Sequence, residues 1–131
     1  MSSYLKTSDV SGTKLTYKII SDDRLDQTAV VDVTQGSGTL CAVKVDATSA
    51  TSHQYLKLML TSSEITVGTT IPEITLMCAA QKRSIINLPG GLSYTNLSAW
   101  LVTSQNDTGS GSDANSEAAA QRYTKVTFIT K

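Results

Sequence analysis

The single histidine and the two cysteines decide which metal or redox chemistry is open to this chain. His53 lies in a polar turn, and neither Cys41 nor Cys78 is near it at a zinc-ligand spacing such as C-x2-C. We therefore interpret His53 as a solvated loop histidine and predict neither a metal site nor a cofactor. Both cysteines fall in apolar strand patterns, which favours buried free thiols, although geometry could still allow a disulfide between facing strands.

The carboxylates give no stronger indication of chemistry. Asp22, Asp23 and Asp26 cluster within five residues, but they lack the ligand spacing, the glycine and the terminal glutamate of an EF-hand, so they indicate a solvated turn. Glu64 and Glu73 lie in or beside a connection, where nothing indicates that they converge as a glycosidase pair would. The sequence has no G-x-S-x-G elbow and no phosphate-binding glycine loop. It therefore predicts no catalytic residue and a protein that is not an enzyme.

The clearest structural pattern runs from Gly38 to Leu60. Two segments with an apolar residue at every second position flank a run of small and polar residues at 47–53. A period of two is typical of half-buried strands, because successive side chains point to opposite faces of a sheet. The alternating apolar residues are Cys41, Val43, Val45, Leu56, Leu58 and Leu60. We expect an antiparallel pair of strands here.

Similar segments recur along the chain. Further strands are predicted at 14–20, 28–34, 74–80, 84–88, 97–103 and 123–131. Pro89–Gly91 is the strongest turn signal, and 113–122 is predicted to contain a short turn of helix. The strand around Trp100 is apolar on both faces, so each face should be covered. About eight short strands indicate an all-β fold, a two-sheet antiparallel sandwich that is jelly-roll-like.

The chain is long enough for one domain. Residues 1–12 read as an N-terminal arm and 13–131 as a single β-sandwich domain. Tyr4, Leu5 and Val10 are the apolar residues of the arm, which makes them candidate residues of a partner interface.

Composition argues against several classes of partner. Lys and Arg number 11, as do Asp and Glu, so there is no net charge to attract nucleic acid or an anionic membrane. Ser and Thr together number 36 of the 131 residues, which suits strands with hydroxyl-rich outer faces. The N-terminus has no apolar signal region and no window resembles a membrane span, so we expect assembly in the cytosol.

The order of several motifs resembles small virion structural proteins of tailed bacteriophages, particularly those of cyanobacteria and marine bacteria. The motifs that carry the resemblance are Val43–Asp46, Gln54–Leu58, Thr66–Glu73, Leu88–Leu92 and Leu97–Ala99. The match covers roughly residues 38–104 and the last strand. The chain has Asn96 where those proteins have a glycine, and it carries a longer insert near Glu117.

The resemblance implies a β-sandwich virion component, most readily a capsid decoration or cement protein. Its partners would be the major capsid protein or other virion proteins together with further copies of the chain, with a trimer favoured. Assembly would take place in the host cytoplasm. One alternative is a tail, neck or fibre component of the same virion. An alternative of another class is a carbohydrate-binding module, which would need Trp100, Tyr94 and Tyr123 to form an exposed platform.

Overall fold

Alternating apolar residues form strands through most of the chain. The computed structural model describes residues 5–9, 17–23, 25, 29–50, 52–103, 105–106 and 124–131. Its strands are β1 Leu5–Asp9, β2 Lys18–Asp22, β3 Gly38–Asp46, β4 Gln54–Met59, β5 Ile74–Cys78, β6 Arg83–Tyr94, β7 Ser98–Val102 and β8 Lys125–Thr130. They form two antiparallel sheets, which confirms the all-β sandwich predicted from the period-two pattern.

The larger sheet has five strands in the order β1-β2-β8-β3-β6. Its centre is β3, which pairs with β6 on one side and β8 on the other; Val43, for example, lies opposite both Ile86 and Phe128. The C-terminal strand therefore lies inside the sheet.

The smaller sheet has three strands in the order β5-β4-β7. The segment 29–33 lies along the outer edge of β7, where Val30 and Ala99 donate N–H groups to each other's carbonyls at 2.9 and 3.0 Å. With this segment counted in the smaller sheet, the order of that sheet is 29–33, β7, β4, β5. It faces β2, β8, β3 and β6 of the larger sheet, which is the strand arrangement of a jelly roll.

The core lies between the sheets. Both sheets contribute buried apolar side chains, among them Val43, Leu56, Leu101 and Phe128, each at most 1% exposed. A second apolar cluster lies on the other side of the smaller sheet, where Met59, Trp100 and Val102 are covered by connections. The expectation that both faces around Trp100 are covered is confirmed.

The Pro89–Gly91 motif does not end a strand, as the turn signal predicted, but forms a bulge within β6. Only Cys41 separates Leu40 from Ala42 on β3, while four residues separate their partners Leu92 and Asn87 on β6. Gly90 and Gly91 have φ values of 80° and 75°, a region that glycine occupies freely. The parts of β6 before and after the motif both pair with β3, so the motif accommodates the extra residues and the strand continues.

The expected antiparallel pair within 38–60 is wrong, because β3 and β4 lie in different sheets and do not pair with each other. Two further boundaries differ from the expectation. The predicted strand at 28–34 is not a continuous strand: its described residues make one isolated bridge, at Val30, and a further backbone hydrogen bond, from the Val33 N–H to the Leu97 carbonyl at 2.7 Å. Part of the predicted arm, Leu5–Asp9, forms β1 and pairs with β2, with Leu5 opposite Asp22. The local pattern of a short segment does not show which sheet edge the segment joins, because that depends on the neighbouring strand. The helical turn predicted at 113–122 lies outside the described residues.

Candidate functional surface

His53 connects two loops. The N–H of Ala80 donates to His53 Nδ1 at 3.0 Å, and the side chain of His53 is exposed. The described residues contain no group of three His, Cys, Asp or Glu side chains placed to hold a metal ion. The contact therefore gives His53 a structural role, in addition to the exposure expected of a loop histidine.

The two cysteines are free thiols in different environments. Cys78 is buried between the sheets, and this burial raises the pKa of its thiol to about 11. Such a thiol stays protonated and unreactive at neutral pH. Cys41 is only half-buried because it is the β3 residue opposite the β6 bulge. The prediction of a buried free thiol is confirmed for Cys78 and was too strong for Cys41.

The carboxylates of Glu73 and Asp22 are part of the folded structure, the first through hydrogen bonds and the second through burial. Glu73 Oε1 accepts the side-chain hydroxyl of Thr61 at 2.7 Å and the backbone N–H groups of Leu60 and Thr61 at 2.9 and 3.1 Å. These bonds, led by the one from the Thr61 hydroxyl, lower the pKa of Glu73. Asp22 is 1% exposed, because β2 continues through it, so the prediction of a solvated turn is wrong at this residue. Asp26 lies outside the described residues.

The aromatic side chains do not assemble an exposed platform. Trp100 is 1% exposed and Tyr94 is 5% exposed. Tyr123 lies outside the described residues. Two of the three rings that a carbohydrate-binding platform would need are therefore inside the protein.

Of the three predicted interface residues, only Leu5 lies among the described residues. Leu5 begins β1 at the edge of the larger sheet. Tyr4 and Val10 lie outside the described residues.

A surface that the sequence did not single out lies on the outer side of the larger sheet. We call it the open face, and it is built from β3, β6 and β8. Strand register places Asp46 beside both Arg83 and Lys125. Two residues further along each strand, on the same face, Lys44 lies beside both Ile85 and Thr127. Together with the strand residues Val45 and Ser84, the side chains line an open depression of about 340 Å³.

The charge of the open face is predominantly positive. Lys44, Arg83 and Lys125 are all exposed, and Asp46 is the one acidic residue lining the depression among the described residues. The Arg83 guanidinium contacts the Asp46 carboxylate at 3.2 Å between Nε and Oδ2. The pKa of Asp46 is lowered most by the hydrogen bond from the Thr48 hydroxyl, and further by the Thr48 backbone N–H and the nearby Arg83. This carboxylate is therefore ionised at neutral pH. Three cations against one anion leave an excess of positive charge on a chain whose net charge is zero.

Ile85 adds an apolar element to the open face. Its side chain is 62% exposed, one of three large hydrophobic residues so placed among the described residues. Cations around an exposed aliphatic side chain suit a protein surface that offers both carboxylates and apolar atoms. This arrangement can bind, but it holds no nucleophile paired with a base.

Alternation along β3 correctly predicted that Lys44 and Asp46 point away from the core. It could not bring them together with Arg83 and Lys125, because those residues come from strands distant in the sequence. The signal that could have found the surface is the set of charged residues at outward positions of three strands, combined with a known strand order.

Comparison with protein-family models, with curated proteins and with solved structures finds no match to this chain. Among the described residues, no helix combines the length and apolar character needed to cross a membrane.

Proposed function

We propose that the protein is a non-enzymatic structural component of a tailed-phage virion. More specifically, it is a capsid decoration protein that binds the outside of the major capsid protein shell and stabilises it. The motif order of the sequence supports this role through its resemblance to small virion proteins. The jelly-roll order of the strands supports it by analogy, since this architecture recurs in viral capsid proteins as well as in lectins and cupins.

The observation that carries the proposal is the open face. Lys44 and Lys125 project from neighbouring strands of a hydrogen-bonded sheet, so their spacing is held by the backbone. A shell built from many identical subunits presents the same contact many times, and weak individual contacts then add up to stable attachment. In this proposal the larger sheet faces acidic groups of the major capsid protein.

Copy number in purified particles tests the location. Quantitative mass spectrometry of particles of the phage that encodes the chain should find hundreds of copies per particle, in a fixed ratio to the major capsid protein. Tens of copies or fewer would instead favour a tail, neck or fibre component. Absence from purified particles would overturn the virion role altogether.

Charge reversal tests the face. The double variant Lys44→Glu, Lys125→Glu should lose binding to shells stripped of the protein, while its circular dichroism and melting temperature stay close to those of the wild type. Lys18→Glu is the matched control, because Lys18 is an exposed lysine at the other end of the larger sheet. Equal binding by the double variant and the control would exclude the open face as the contact.

The N-terminal residues are a second contact to test. Because Leu5–Asp9 belong to β1, deleting the whole of 1–12 would remove a strand. Deleting residues 1–4 removes Tyr4 and leaves β1 in place. If Tyr4 anchors the protein, the deletion should reduce shell binding, and unchanged binding would argue against it.

A further inference from the structure

The edge strand β7 of the smaller sheet and the edge strand β6 of the larger sheet differ in what lies beside them. The edge of β7 is covered by the segment 29–33 through the mutual hydrogen bonds of Val30 and Ala99. The edge of β6 has no strand beyond it among the described residues. An uncovered edge offers a row of backbone N–H and C=O groups to any strand that can pair with it.

The register identifies which backbone groups point outward from β6. Ala47 N–H donates to the Lys82 carbonyl at 2.9 Å, and the next pair of residues along the ladder is Asp46 and Arg83. Hydrogen-bonded pairs alternate in an antiparallel ladder, so Ser84 and Ile86 direct their backbone groups to β3. Ile85 and Asn87 therefore direct theirs away from the sheet.

This edge lacks the usual protection against pairing. Arg83 is the only charged residue of β6, and β5, which precedes it along the chain, has none. The first residue that would stop a ladder is Pro89, which has no N–H and begins the bulge. Between Arg83 and Pro89, the chain presents a short uncharged strand.

The side chains along the same edge are apolar and incompletely covered. Ile86 and Leu88 on β6, like Ile74 and Leu76 on β5, pack against the core but are only partly buried. The core is therefore open on the side where β5 and β6 end the two sheets. A strand added beside β6 would cover Ile86 and Leu88 and extend the larger sheet.

We propose that this edge binds a second copy of the chain, by antiparallel pairing of β6 with β6 of the partner about a two-fold axis at Ile86. In this register each Ile85 lies opposite the other copy's Asn87, so the outward-pointing backbone groups of both residues are satisfied in both copies. The Ile86 side chains of the two copies pack against each other on the core side. Ser84 of each copy lies opposite Leu88 of the other.

Electrostatics favour this occupant. The two Arg83 side chains lie at opposite ends of the new ladder, about 20 Å apart at the rise of a strand, which is beyond the screening length at physiological salt. The chain carries no net charge, so two copies do not repel each other at long range. The two-fold pairing therefore places no like charges opposite each other, which an isologous contact between identical strands requires.

This contact goes beyond the proposed virion role and does not depend on it. A two-fold pairing closes as a dimer, whereas the resemblance to virion proteins favoured a trimer. The two outcomes differ in mass, and the mass can be measured on the purified chain.

Sedimentation equilibrium of the full chain tests the pairing. The wild type should associate to twice the monomer mass of 13.9 kDa. Ile85→Glu places a carboxylate beside Lys44 within the monomer, where it is tolerated. In the dimer, the two introduced carboxylates, one from each copy, are diagonal neighbours and repel each other. Asn87→Pro removes an outward N–H that donates to no other described residue of the monomer. Each variant should weaken the dimer at least about tenfold, which corresponds to roughly 1.4 kcal/mol.

Ile71→Glu is the matched control. Ile71 is 61% exposed, almost the same as Ile85, but it lies in the connection before β5 and not on the β6 edge. This variant should dimerise like the wild type. A wild type that stays monomeric up to millimolar concentration would overturn the proposal, as would a trimer, or a dimer that persists in both Ile85→Glu and Asn87→Pro.

Discussion

The outer faces of the two sheets differ although the same alternation produces both. On the smaller sheet, Met59, Trp100 and Val102 point outward and are buried beneath connections that contribute Ala29, Ile65 and Val67. On the larger sheet, the outward residues Lys44, Arg83 and Lys125 are charged and exposed, and Ile85 is 62% exposed. The smaller sheet thus has apolar clusters on both sides, and the larger sheet has the core on one side and the open face on the other.

In the proposed role, the two faces would divide stability from recognition. Side chains that hold the covered face together are unavailable to a partner, while those on the open face can change without leaving a cavity. Substitutions at equivalent outward positions of the two sheets should therefore have very different effects on the free energy of unfolding.

The largest difference is expected between Trp100→Ala and Ile85→Ala. Trp100 is 1% exposed, and truncating a buried Trp leaves a cavity, so this variant should lose about 3–5 kcal/mol of stability. Ile85 is 62% exposed, and its truncation should change stability by less than about 0.5 kcal/mol. Urea denaturation followed by circular dichroism measures both variants.

If Trp100→Ala does not fold, Trp100→Phe keeps much of the ring and should still be less stable than Ile85→Ala. Equal losses from Trp100→Phe and Ile85→Ala would contradict the difference between the two faces.

Two lysines provide a second and smaller contrast. Lys57 points outward from β4, yet it is 0% exposed and its Nζ donates to the backbone carbonyl of Asn106. Lys44 points outward from β3 and is exposed. Lys57→Ala removes a packed aliphatic stem and a buried hydrogen bond, so it should cost about 2 kcal/mol.

Lys44→Ala should change the free energy of unfolding by less than about 0.5 kcal/mol, because both states leave this side chain in water. Chemical denaturation of the two variants under the same conditions makes the comparison. Similar costs at the two lysines would mean that the connections over the smaller sheet contribute little.

The sequence predicted the fold well where pattern alone decides it. The period of two located β3, β4, β5, β7 and β8 to within a few residues, because each strand must turn one apolar side toward the core. The apolar residues on both sides of Trp100 also predicted that this strand would be covered on each face, whereas β4, which was expected to be half-buried, is buried on both faces as well. These predictions need only the local sequence.

Pattern failed where pairing decides the structure. Pro89–Gly91 has the composition of a turn. It forms a bulge because the residues of β6 before and after it both pair with β3. The open face was missed for the same reason, since Lys44, Arg83 and Lys125 come together through strand order. Attention to Tyr4, Leu5 and Val10 followed from their apolar character in a polar segment, which does not reveal that Leu5 begins a strand.

The smallest effect concerns the connection that covers the smaller sheet. Glu73 fastens the two ends of residues 61–73 together through its bonds to Leu60 and Thr61. These bonds lower the pKa of Glu73 in the folded protein, so the ionised carboxylate contributes stability above its ordinary pKa of about 4.5. That contribution is lost as the pH falls through the lowered value. Because the side chain is exposed, we expect it to be less than about 1 kcal/mol.

Glu73→Gln isolates this contribution, since the amide oxygen can still accept the bonds but carries no charge. Urea midpoints at pH 7 should show Glu73→Gln to be slightly less stable than the wild type. At pH 3 the gap should narrow, because the contribution of the charge declines as the pH falls below the ordinary pKa of about 4.5 toward the lowered value. A gap of equal size at both pH values would show that charge on Glu73 does not hold the connection in place. The cover over Trp100 would then depend on the apolar contacts of Ile65 and Val67.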